Sequence, residues 1–417
     1  MAKRYKPLFF VICILVTCIC ALFLFFEYQN RKSQMILNLN VEQKLSDFDV
    51  LCEILDKSYP FWSDVERAGI DKENIYNTYR TKIADTNTDI EFFKNMGHFL
   101  KEFEGFGHLS VLDGYMYGMY MDTILENDRV LSAKEEQSIG YLQKVLNNPV
   151  SQRTYHLLDQ SHTGFRSVIG LKEEYRSIDI KNTTEQSEIV TSIYDERTAY
   201  IKIESFELTR FQKDKEVLES FYEQIRDIPN LIIDLRGNSG GSDLYWQDLI
   251  VKPNAKAKLT SERYFLFNQS EITENYISAL GVRKKEIDEL PEPLLSQYKG
   301  NFTHYTTDTE TFDAADKPYS GTIWVLVDDA VYSSSENFVM FCKNTGFATL
   351  VGTSTNGDGG MADPILVSLP NSGLIIRFSM FYGLNGDGSS NEENGTKPDI
   401  IVTENEDALK KCLEQIK

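Results

Sequence analysis

The chain begins with an apolar run that contains no charged residue. Residues 8–26 read LFFVICILVTCICALFLFF, a length of 19 residues, and the positively charged Lys3, Arg4 and Lys6 precede them. About 20 apolar residues span a bilayer, and positive residues before a span stay on the cytoplasmic side. We therefore predict a cytoplasmic tail at 1–7 and a transmembrane signal anchor at 8–26, with the body of the chain outside the cytoplasm. The alternative is a cleaved signal peptide, which usually has a shorter apolar region and a small-residue cleavage site.

A helical spacing of apolar residues follows a polar linker at 27–40. In VEQKLSDFDVLCEILDKSY, which starts at Val41, apolar side chains recur at steps of three and four residues, as on one face of a helix. The segment DIEFFKNMGHFLKEF at 89–103 has the same spacing. These patterns predict an N-terminal helical domain at 41–114, and the mixed composition of 115–186 predicts a connecting region.

From about residue 187 the pattern changes to short apolar runs that are rich in β-branched residues. Runs bounded by Gly, Asn or Pro predict strands, namely EIVTSIY, TAYIKIESF, NLIIDLRG, GTIWVLVDD, ATLVGTS, PILVSLP and GLIIRFSMF. Helical stretches lie between some of them, and this alternation favours an α/β domain over 187–405. A charged stretch at 252–318 interrupts the alternation and predicts an insertion, which is either a lid or a peripheral subdomain. Residues 406–417 predict a C-terminal helix.

Charge and cysteine content narrow the classes of function. The chain of 417 residues has a formal net charge of −20 and a pI of about 4.8. Sequence-independent binding of nucleic acid needs a basic surface, so we expect no nucleic-acid partner. Three of the six cysteines lie in the predicted span, and Cys52, Cys342 and Cys412 do not form a disulfide framework. The sequence contains no H-E-x-x-H motif or Cys/His cluster, so we expect neither a metal nor another cofactor.

A run of three serines, Ser333 to Ser335, separates the apolar run at 323–327 from a helical stretch. Ser333 and Glu336 have the spacing of a capping box, in which the serine oxygen accepts a backbone N–H and the glutamate reaches back. The same position also suits a nucleophile on a strand-to-helix turn, where the helix N-terminus supplies donors for an oxyanion. The turn alone leaves both interpretations open.

Three further segments contain candidate functional residues. GNSGG at 237–241 follows a predicted strand, and its glycines allow a tight turn that directs backbone N–H groups at a ligand, although a plain β-turn is the simpler interpretation. His108 lies between Gly107 and an apolar SVL, and His162 is the rival candidate among the five histidines. GSSNEENGTKPDIIV at 388–402 places acidic residues before a strand, where a polar loop is the simpler interpretation.

These segments, in this order, resemble the C-terminal processing, or tail-specific, serine peptidases, including the tricorn-like branch of that family. The strongest pieces are IIDLRGNSGGS and VLVDDAVYSSSENF, and the resemblance covers about residues 45–405. It implies that Ser333 is the nucleophile, that His108 is the base, and that Glu392 is the third member of the site, with its neighbour Glu393 as the alternative. It also implies the β/β/α core of the family, a twisted mixed sheet with helices.

One branch of the family uses a lysine as its base, and Asp358 stands where that lysine would be. The resemblance therefore favours the branch with a Ser-His-Glu site over a Ser-Lys dyad. It places the oxyanion hole at the backbone N–H of Ser334 and at that of Ser239 or Gly240. No peptide-binding loop of the family's PDZ module is evident at 115–190, so we expect the N-terminal helices and the insertion to select the substrate.

The resulting expectation is a membrane-anchored, extracytoplasmic serine endopeptidase that cleaves protein or peptide substrates through an acyl-enzyme on Ser333. Its active site should lie between the helical domain and the α/β domain, because His108 and Ser333 come from different ones. A shared fold does not by itself establish activity. The alternatives are a non-catalytic relative that binds peptides or apolar ligands, and a hydrolase of a small ester or amide on the same residues. An enzyme requires Ser333, His108 and Glu392 to converge.

Overall fold

The computed structural model describes residues 37–125, 133–160, 189–403 and 406–416. Within these ranges, no helix combines the length and the apolar character that crossing a membrane requires. The predicted tail at 1–7, the predicted span at 8–26 and the rival histidine His162 lie outside the described residues.

The amino-terminal part is helical, as its apolar spacing predicts. Its helices are α1 (Val41–Ser58), α2 (Trp62–Arg67), α3 (Lys72–Ala84), α4 (Asp89–Lys101), α5 (Gly114–Leu125), α6 (Ala133–Leu146) and α7 (Pro149–Gln160). A capping box precedes α1, where Asn40 accepts the Gln43 N–H, and another precedes α4, where Thr88 accepts the Glu91 N–H. Their apolar stripes are buried against one another, which explains why these segments stay helical.

A six-stranded mixed sheet forms the centre of the carboxyl-terminal part. Its strands, in spatial order, are β13 (Ile400–Ile401), β9 (Thr349–Gly352), β8 (Thr322–Val327), β4 (Asn230–Asp234), β3 (Thr198–Lys202) and β2 (Val190–Asp195). Neighbouring strands run parallel, except that β2 and β3 are antiparallel. β4 and β8 are adjacent and parallel, so the glycine segment and the serine turn that follow them lie side by side at one edge of the sheet.

Helices cover both faces of this sheet. The helices of the carboxyl-terminal part are α8 (Phe211–Gln224), α9 (Asp243–Trp246), α10 (Lys252–Asn254), α11 (Glu271–Leu280), α12 (Leu294–Tyr298), α13 (Ser334–Thr345), α14 (Asn391–Asn394) and α15 (Ala408–Gln415), of which α8, α13 and α15 pack on the six-stranded sheet. Successive strand residues face opposite sides. Ile233 packs in the cluster that contains α8 and α13, whereas Ile232 packs with Cys412 of α15. The predicted α/β alternation and the C-terminal helix are therefore present.

Two smaller antiparallel sheets connect the two parts of the chain. One consists of β1 (Ser110–Val111), β11 (Ile375–Phe378) and β10 (Ile365–Ser368), and the other of β12 (Tyr382–Gly383), β5 (Leu259–Phe267), β7 (His304–Phe312) and β6 (Lys285–Glu286). β1 directly follows the His108 segment and pairs with β11, which follows the six-stranded sheet's β9 in the chain. This pairing brings the amino-terminal histidine to the carboxyl-terminal part.

The stretch at 252–318 does not form a lid over the rest of the molecule. It contributes β5 and β7, and Phe265, Leu266 and Tyr305 from these strands are buried in the same apolar cluster as Phe48 of α1. The segment that the sequence predicted to be a lid or a peripheral subdomain is thus part of a core that it shares with the N-terminal helices.

Candidate active site

The serine turn joins β8 to α13 and holds Ser333 in an unusual conformation. Ser333 has φ 59° and ψ −125°, a region that residues other than glycine rarely occupy. Its N–H donates to the Gly357 carbonyl (3.2 Å), and its side chain makes no capping hydrogen bond. Glu336 is wholly buried and accepts from Asn391 (2.7 Å) and Thr396 (2.5 Å) instead of reaching back to the turn. The capping-box interpretation therefore fails, and the Ser333 hydroxyl serves another partner.

That partner is His108, whose Nε2 lies 3.3 Å from Ser333 Oγ. His108 ends a short 3-10 turn, and the strand that follows it is fixed by its pairing with β11. Gly107, with φ 58°, packs so closely on Phe61 that a Cβ atom would lie 2.2 Å from the ring. Only glycine fits at this position, so the backbone is anchored on the helical part while the imidazole reaches the serine turn.

A second group contacts the same imidazole nitrogen. Asp358 Oδ2 lies 2.8 Å from His108 Nε2 and also accepts from Ser379 Oγ (3.0 Å) and Tyr332 Oη (3.4 Å). The Asp358 side chain is only 3% exposed. The sequence indicated that Asp358 replaces a lysine of one family branch, but it did not predict a contact with His108. The sequence did contain one signal for this contact, namely the position of Asp358. The resemblance places the base of the lysine branch at this position, beside the nucleophile.

Backbone strain marks the same three residues. Among the described residues, positive φ outside glycine occurs at Asn38, Glu104, His108, Ser333 and Asp358. Such conformations each cost on the order of 1–3 kcal/mol and concentrate at functional sites. Three of these five side chains meet at one point of the structure. The strain therefore identifies His108, Ser333 and Asp358 as a functional cluster without any reference to related proteins.

Glu392 lies beside the His108 loop but makes no hydrogen bond to the imidazole. Its Oε1 accepts the Gly107 N–H (2.7 Å), and its Oε2 is buried without a hydrogen-bond partner. Glu393, the alternative third member, is exposed and pairs with Arg67 (2.8 Å). The structure thus keeps Glu392 next to the base through the preceding residue and directs Glu393 away from it.

Burial sets the protonation of these groups. It lowers the pKa of His108, as does the Arg377 cation, and the Asp358 carboxylate opposes this effect only in part. A neutral imidazole is the form that can take a proton from a serine hydroxyl. Burial also raises the pKa of Glu392 well above its usual value, and the charge of Asp358 adds to the rise. At neutral pH we therefore expect a neutral His108, and burial favours the uncharged form of Glu392.

Gly240 has a different role from the predicted one in the oxyanion hole. Its N–H donates to Asn238 Oδ1 (2.9 Å), an atom that also accepts from Ser335 Oγ (2.6 Å). Gly240 instead allows the glycine segment to pack closely against the serine turn. Its φ is 113°, and a Cβ atom at this position would lie 3.0 Å from Ser333 Cβ. Ser239, the other predicted donor of the glycine segment, is absent from the described lining of the cleft beside Ser333.

Ser334 and Gly241 offer backbone N–H groups at the cleft instead. Ser334 is the first residue of α13, so its N–H has no acceptor within the helix. Gly241 lines the cleft and forms a parallel bridge with Phe206, in which the flanking Gly240 carbonyl and Ser242 N–H bond to Phe206. This alternation turns the Gly241 N–H to the opposite side, away from Phe206. Ser334 therefore remains the predicted first donor, and Gly241 is the better candidate for the second.

The cleft beside Ser333 has a volume of about 250 Å³ and lies between α6 and the α/β part, as Ser138 and Gly241 both line it. Its described lining contains no lysine or arginine, and it contains the carboxylates of Asp243, Asp308, Glu310, Asp358 and Asp363. Across the described ranges, no group of three or more His, Cys, Asp or Glu residues could hold a metal ion. The chemistry of the site therefore has to be sought in Ser333 and His108.

Comparison with known proteins connects this geometry with a family. Residues 197–402, which contain five strands of the six-stranded sheet (all but β2) and the serine turn, match the family model for peptidase family S41. The chain therefore contains a peptidase family S41 domain. Members of this family are serine peptidases, and the predicted membership of the C-terminal processing family is confirmed. No curated protein matches the chain in sequence.

Two solved structures have folds similar to that of this S41 peptidase. A putative peptidase from Parabacteroides merdae is 18% identical with a TM-score of 0.54, over 90% of this chain and 96% of that one. Mature CPAF in complex with lactacystin is 15% identical with a TM-score of 0.52, over 90% of this chain and 97% of that one. At these identities the likeness shows the fold alone, which confirms the predicted mixed α/β architecture.

Proposed function

We propose that this S41 peptidase is an active serine endopeptidase that cleaves protein or peptide chains through an acyl-enzyme on Ser333. The observation that carries the proposal is the approach of His108 Nε2 to within 3.3 Å of Ser333 Oγ, across two separate parts of the chain. A serine hydroxyl is a weak nucleophile until an adjacent base takes its proton. Strained residues concentrate at active sites and at ligand clamps, and the approach of a buried, neutral imidazole to the serine favours an active site here.

In the proposed reaction, Ser333 Oγ attacks the scissile carbonyl while its proton passes to His108. The resulting oxyanion is stabilised by the backbone N–H groups of Ser334 and Gly241. His108 then gives the proton to the leaving amine, which leaves an acyl-enzyme, and the same residue activates the water that hydrolyses it. Glu392 remains the predicted third member, and its hydrogen bond to Gly107 supports the backbone next to the base.

Labelling of the full-length chain with a fluorophosphonate probe tests the nucleophile. We expect an adduct on Ser333, located by mass spectrometry, no adduct in Ser333→Ala, and a labelling rate lowered about 10²–10⁴-fold in His108→Ala. His98→Ala is the matched control, because His98 lies on α4 and is not part of the cleft. An adduct on another residue would refute the nucleophile assignment. Absence of any labelling, with peptide binding retained, would favour the non-catalytic alternative.

Endopeptidase activity has its own test. A lysine or arginine in the cleft would favour binding of a substrate's terminal carboxylate, and the described lining of the cleft contains neither residue. We therefore expect the peptidase to cleave internal bonds of peptides whose two ends are acetylated and amidated, with products identified by mass spectrometry. Activity on unblocked peptides alone would contradict the assignment, and activity on small esters alone would favour the alternative hydrolase.

We also propose that residues 8–26 anchor the peptidase in the cell membrane with its catalytic part outside the cytoplasm. The support is the 19-residue uncharged run behind Lys3, Arg4 and Lys6. The proposal is tested by fractionation of cells that express the full chain, followed by added protease before and after permeabilisation. Recovery of the intact chain in the membrane fraction, with digestion of its body from outside, is the expected result. A soluble chain that lacks residues 1–26 would show cleavage instead.

A further inference from the structure

His108 Nε2 has two partners, and a neutral imidazole cannot serve both in the way that catalysis requires. The distance to Asp358 Oδ2 is 2.8 Å, whereas that to Ser333 Oγ is 3.3 Å. A carboxylate only accepts hydrogen bonds, so the shorter contact puts the single proton of the imidazole on Nε2. With that proton in place, Nε2 has no lone pair to accept the hydroxyl proton of Ser333.

We propose that Asp358 is a positioning residue that holds His108 in the Nε2–H tautomer, so that the arrangement described above is a resting state of the site. The site becomes active when the contact between His108 and Asp358 opens and the imidazole proton moves to Nδ1. This inference rests on the proposed function, because it concerns the base of the same reaction.

The contact is supported by other parts of the structure. Ser379 Oγ and Tyr332 Oη both donate to Asp358 Oδ2, the oxygen that faces His108. Ser379 also donates its N–H to the Gly107 carbonyl (2.6 Å), so the end of β11 holds the loop of the carboxylate and the loop of the histidine together. The Asp358 backbone is kept at φ 49°, which costs free energy that the fold must compensate. Such a contact is built into the fold.

An acceptor and space for the other tautomer are also present. Glu392 Oε2 is buried without a hydrogen-bond partner, and Glu392 already binds the backbone next to His108. A second cavity, of about 340 Å³, is lined by His108, Glu392 and the Arg377 guanidinium, together with Tyr332. Glu392 would then serve as the predicted third member in the active state, while Asp358 restrains the base in the resting state.

The substrate itself is suited to open the contact. Asp358 lines the cleft in which the scissile peptide has to bind, together with Ser333 and His108. A peptide N–H or a cationic side chain that enters this cleft competes for the Asp358 carboxylate. Coupling of substrate entry to release of the base would keep the reactivity of Ser333 low in the empty site.

Removal of the carboxylate tests the proposal. Asp358→Gly deletes the side chain and suits the positive φ of the position, and Asp329→Ala removes an exposed carboxylate of the loop before Ser333 as the matched control. We expect the rate constant for fluorophosphonate labelling of Ser333 to rise at least about tenfold in Asp358→Gly and to stay unchanged in Asp329→Ala. A lower labelling rate in Asp358→Gly would mean that the Asp358 carboxylate assists the base, which would overturn the proposal. An unchanged labelling rate would overturn it as well. The melting temperature of each variant checks that it is folded.

The tautomer can be measured without any activity. In full-length Ser333→Ala labelled with ¹⁵N-histidine, long-range ¹H–¹⁵N spectra distinguish the two tautomers, and comparison with His108→Ala identifies the signal among the five histidines. We expect the Nε2–H pattern for His108 in Ser333→Ala. We expect this pattern to be lost when Asp358→Gly is combined with Ser333→Ala in the same chain. An Nδ1–H pattern in Ser333→Ala would refute the proposal. If the spectra change as expected but no form of the chain labels or cleaves, the proposed peptidase activity fails while the positioning role of Asp358 stands.

Discussion

At the scale of single residues, the site is made of side chains whose backbones are forced out of their preferred conformations. Ser333 is strained because its N–H is turned to the Gly357 carbonyl instead of into the helix. His108 is strained because it follows Gly107, which is pressed on Phe61. Each conformation directs a short side chain at the same point. Hydrogen bonds and packing from separate segments hold Ser333 and His108 in these conformations. The fold thereby compensates the strain and keeps the two side chains together.

The exchange Glu392→Gln tests how the third member acts. Because burial and the Asp358 charge raise the pKa of Glu392 well above its usual value, the fold favours the uncharged carboxyl, which an amide resembles. We expect kcat/KM to fall less than about tenfold in Glu392→Gln, against about 10²–10⁴-fold in His108→Ala. Peptide cleavage measured at neutral pH checks this difference. A loss in Glu392→Gln as large as that in His108→Ala would show that the glutamate acts as an anion.

The sequence motifs predict some residues of this site and miss others. Ser333 and His108 were predicted because the residues around them form recognisable motifs in a fixed order. The contact between His108 and Asp358 was not predicted, because it joins positions 250 apart through the three-dimensional arrangement of two loops. The role of Gly240 was also mispredicted, since only the structure shows that Asn238 takes its N–H.

At the scale of elements, Gly357 is the point where the serine turn meets the segment of Glu392. A Cβ atom at this position would lie 2.3 Å from the Asn391 carbonyl oxygen, and φ is 84°. We therefore expect Gly357→Ala to push α14 away from the turn, lower the melting temperature and abolish fluorophosphonate labelling of Ser333. Gly69→Ala is the control, because Gly69 has φ 79° with nothing within 4 Å, so it reports the backbone strain alone, on the order of 1 kcal/mol. Equal losses in both variants would rule out the steric role.

Glu336 links α13 to α14 and gives the stability of the fold a pH dependence. Burial raises the pKa of Glu336, although Asn391 and Thr396 donate hydrogen bonds to it. A carboxyl with a raised folded-state pKa contributes stability that is complete below the unfolded pKa and is lost as the pH rises through the folded pKa. Glu336→Gln stays neutral at every pH. We expect its free energy of unfolding, relative to the unchanged chain, to increase as the pH rises above the usual pKa of a glutamate, about 4.3.

Urea unfolding at several pH values measures this difference. Glu73→Gln is the control, since the Glu73 side chain is 77% exposed and should show a flat difference over the same range. A difference between Glu336→Gln and the unchanged chain that does not vary with pH would contradict the assigned burial of Glu336.

Strands were predicted correctly from the sequence where apolar residues form a continuous run. The strands β4, β8 and β9 are continuous apolar runs, as buried parallel strands are, and were predicted as strands. β5 (LTSERYFLF) and β7 (HYTTDTETF) were missed, because each alternates with charged residues whose charges are matched only across the pair and against neighbouring elements. The buried Arg263 of β5 is an example, because its partners Asn337 and Asp308 lie in distant parts of the sequence. Local pattern could not reveal such pairings.

At the scale of the whole molecule, the helical part shares its core with the two smaller sheets. Phe48 and Phe99 of the helical part belong to the same buried cluster as Phe265 of β5. The six-stranded sheet has its own buried cluster, and β7 joins the two, since its Tyr305 lies in the first and its Phe312 in the second. Because one strand packs in both cores, we expect the described body of the chain to unfold in a single transition.

Asp47 of α1 provides the sharpest test of this shared core. Its wholly buried carboxylate accepts the N–H and the side-chain amide of Asn371 (both 2.9 Å) and the Ser372 N–H (2.7 Å), next to the β10–β11 hairpin. Asp47→Asn cannot accept all three hydrogen bonds, so we expect a loss of about 2–3 kcal/mol in the free energy of unfolding. Asp49→Asn, on the same helix with a 49% exposed side chain paired to Arg80, should cost less than about 1 kcal/mol.

The form of the transition decides whether the helical part and the sheets are coupled. Urea unfolding followed by tryptophan fluorescence reports Trp62 in the helical part and Trp246 and Trp324 near the six-stranded sheet, while circular dichroism follows all elements together. In a shared core, the midpoint of Asp47→Asn moves to lower urea by the same amount with both probes, because the lost hydrogen bonds destabilise the cooperative unit as a whole. If only part of the signal shifted, and labelling of Ser333 were lost before the sheet unfolded, the helical part would be an independent domain that docks to complete the site.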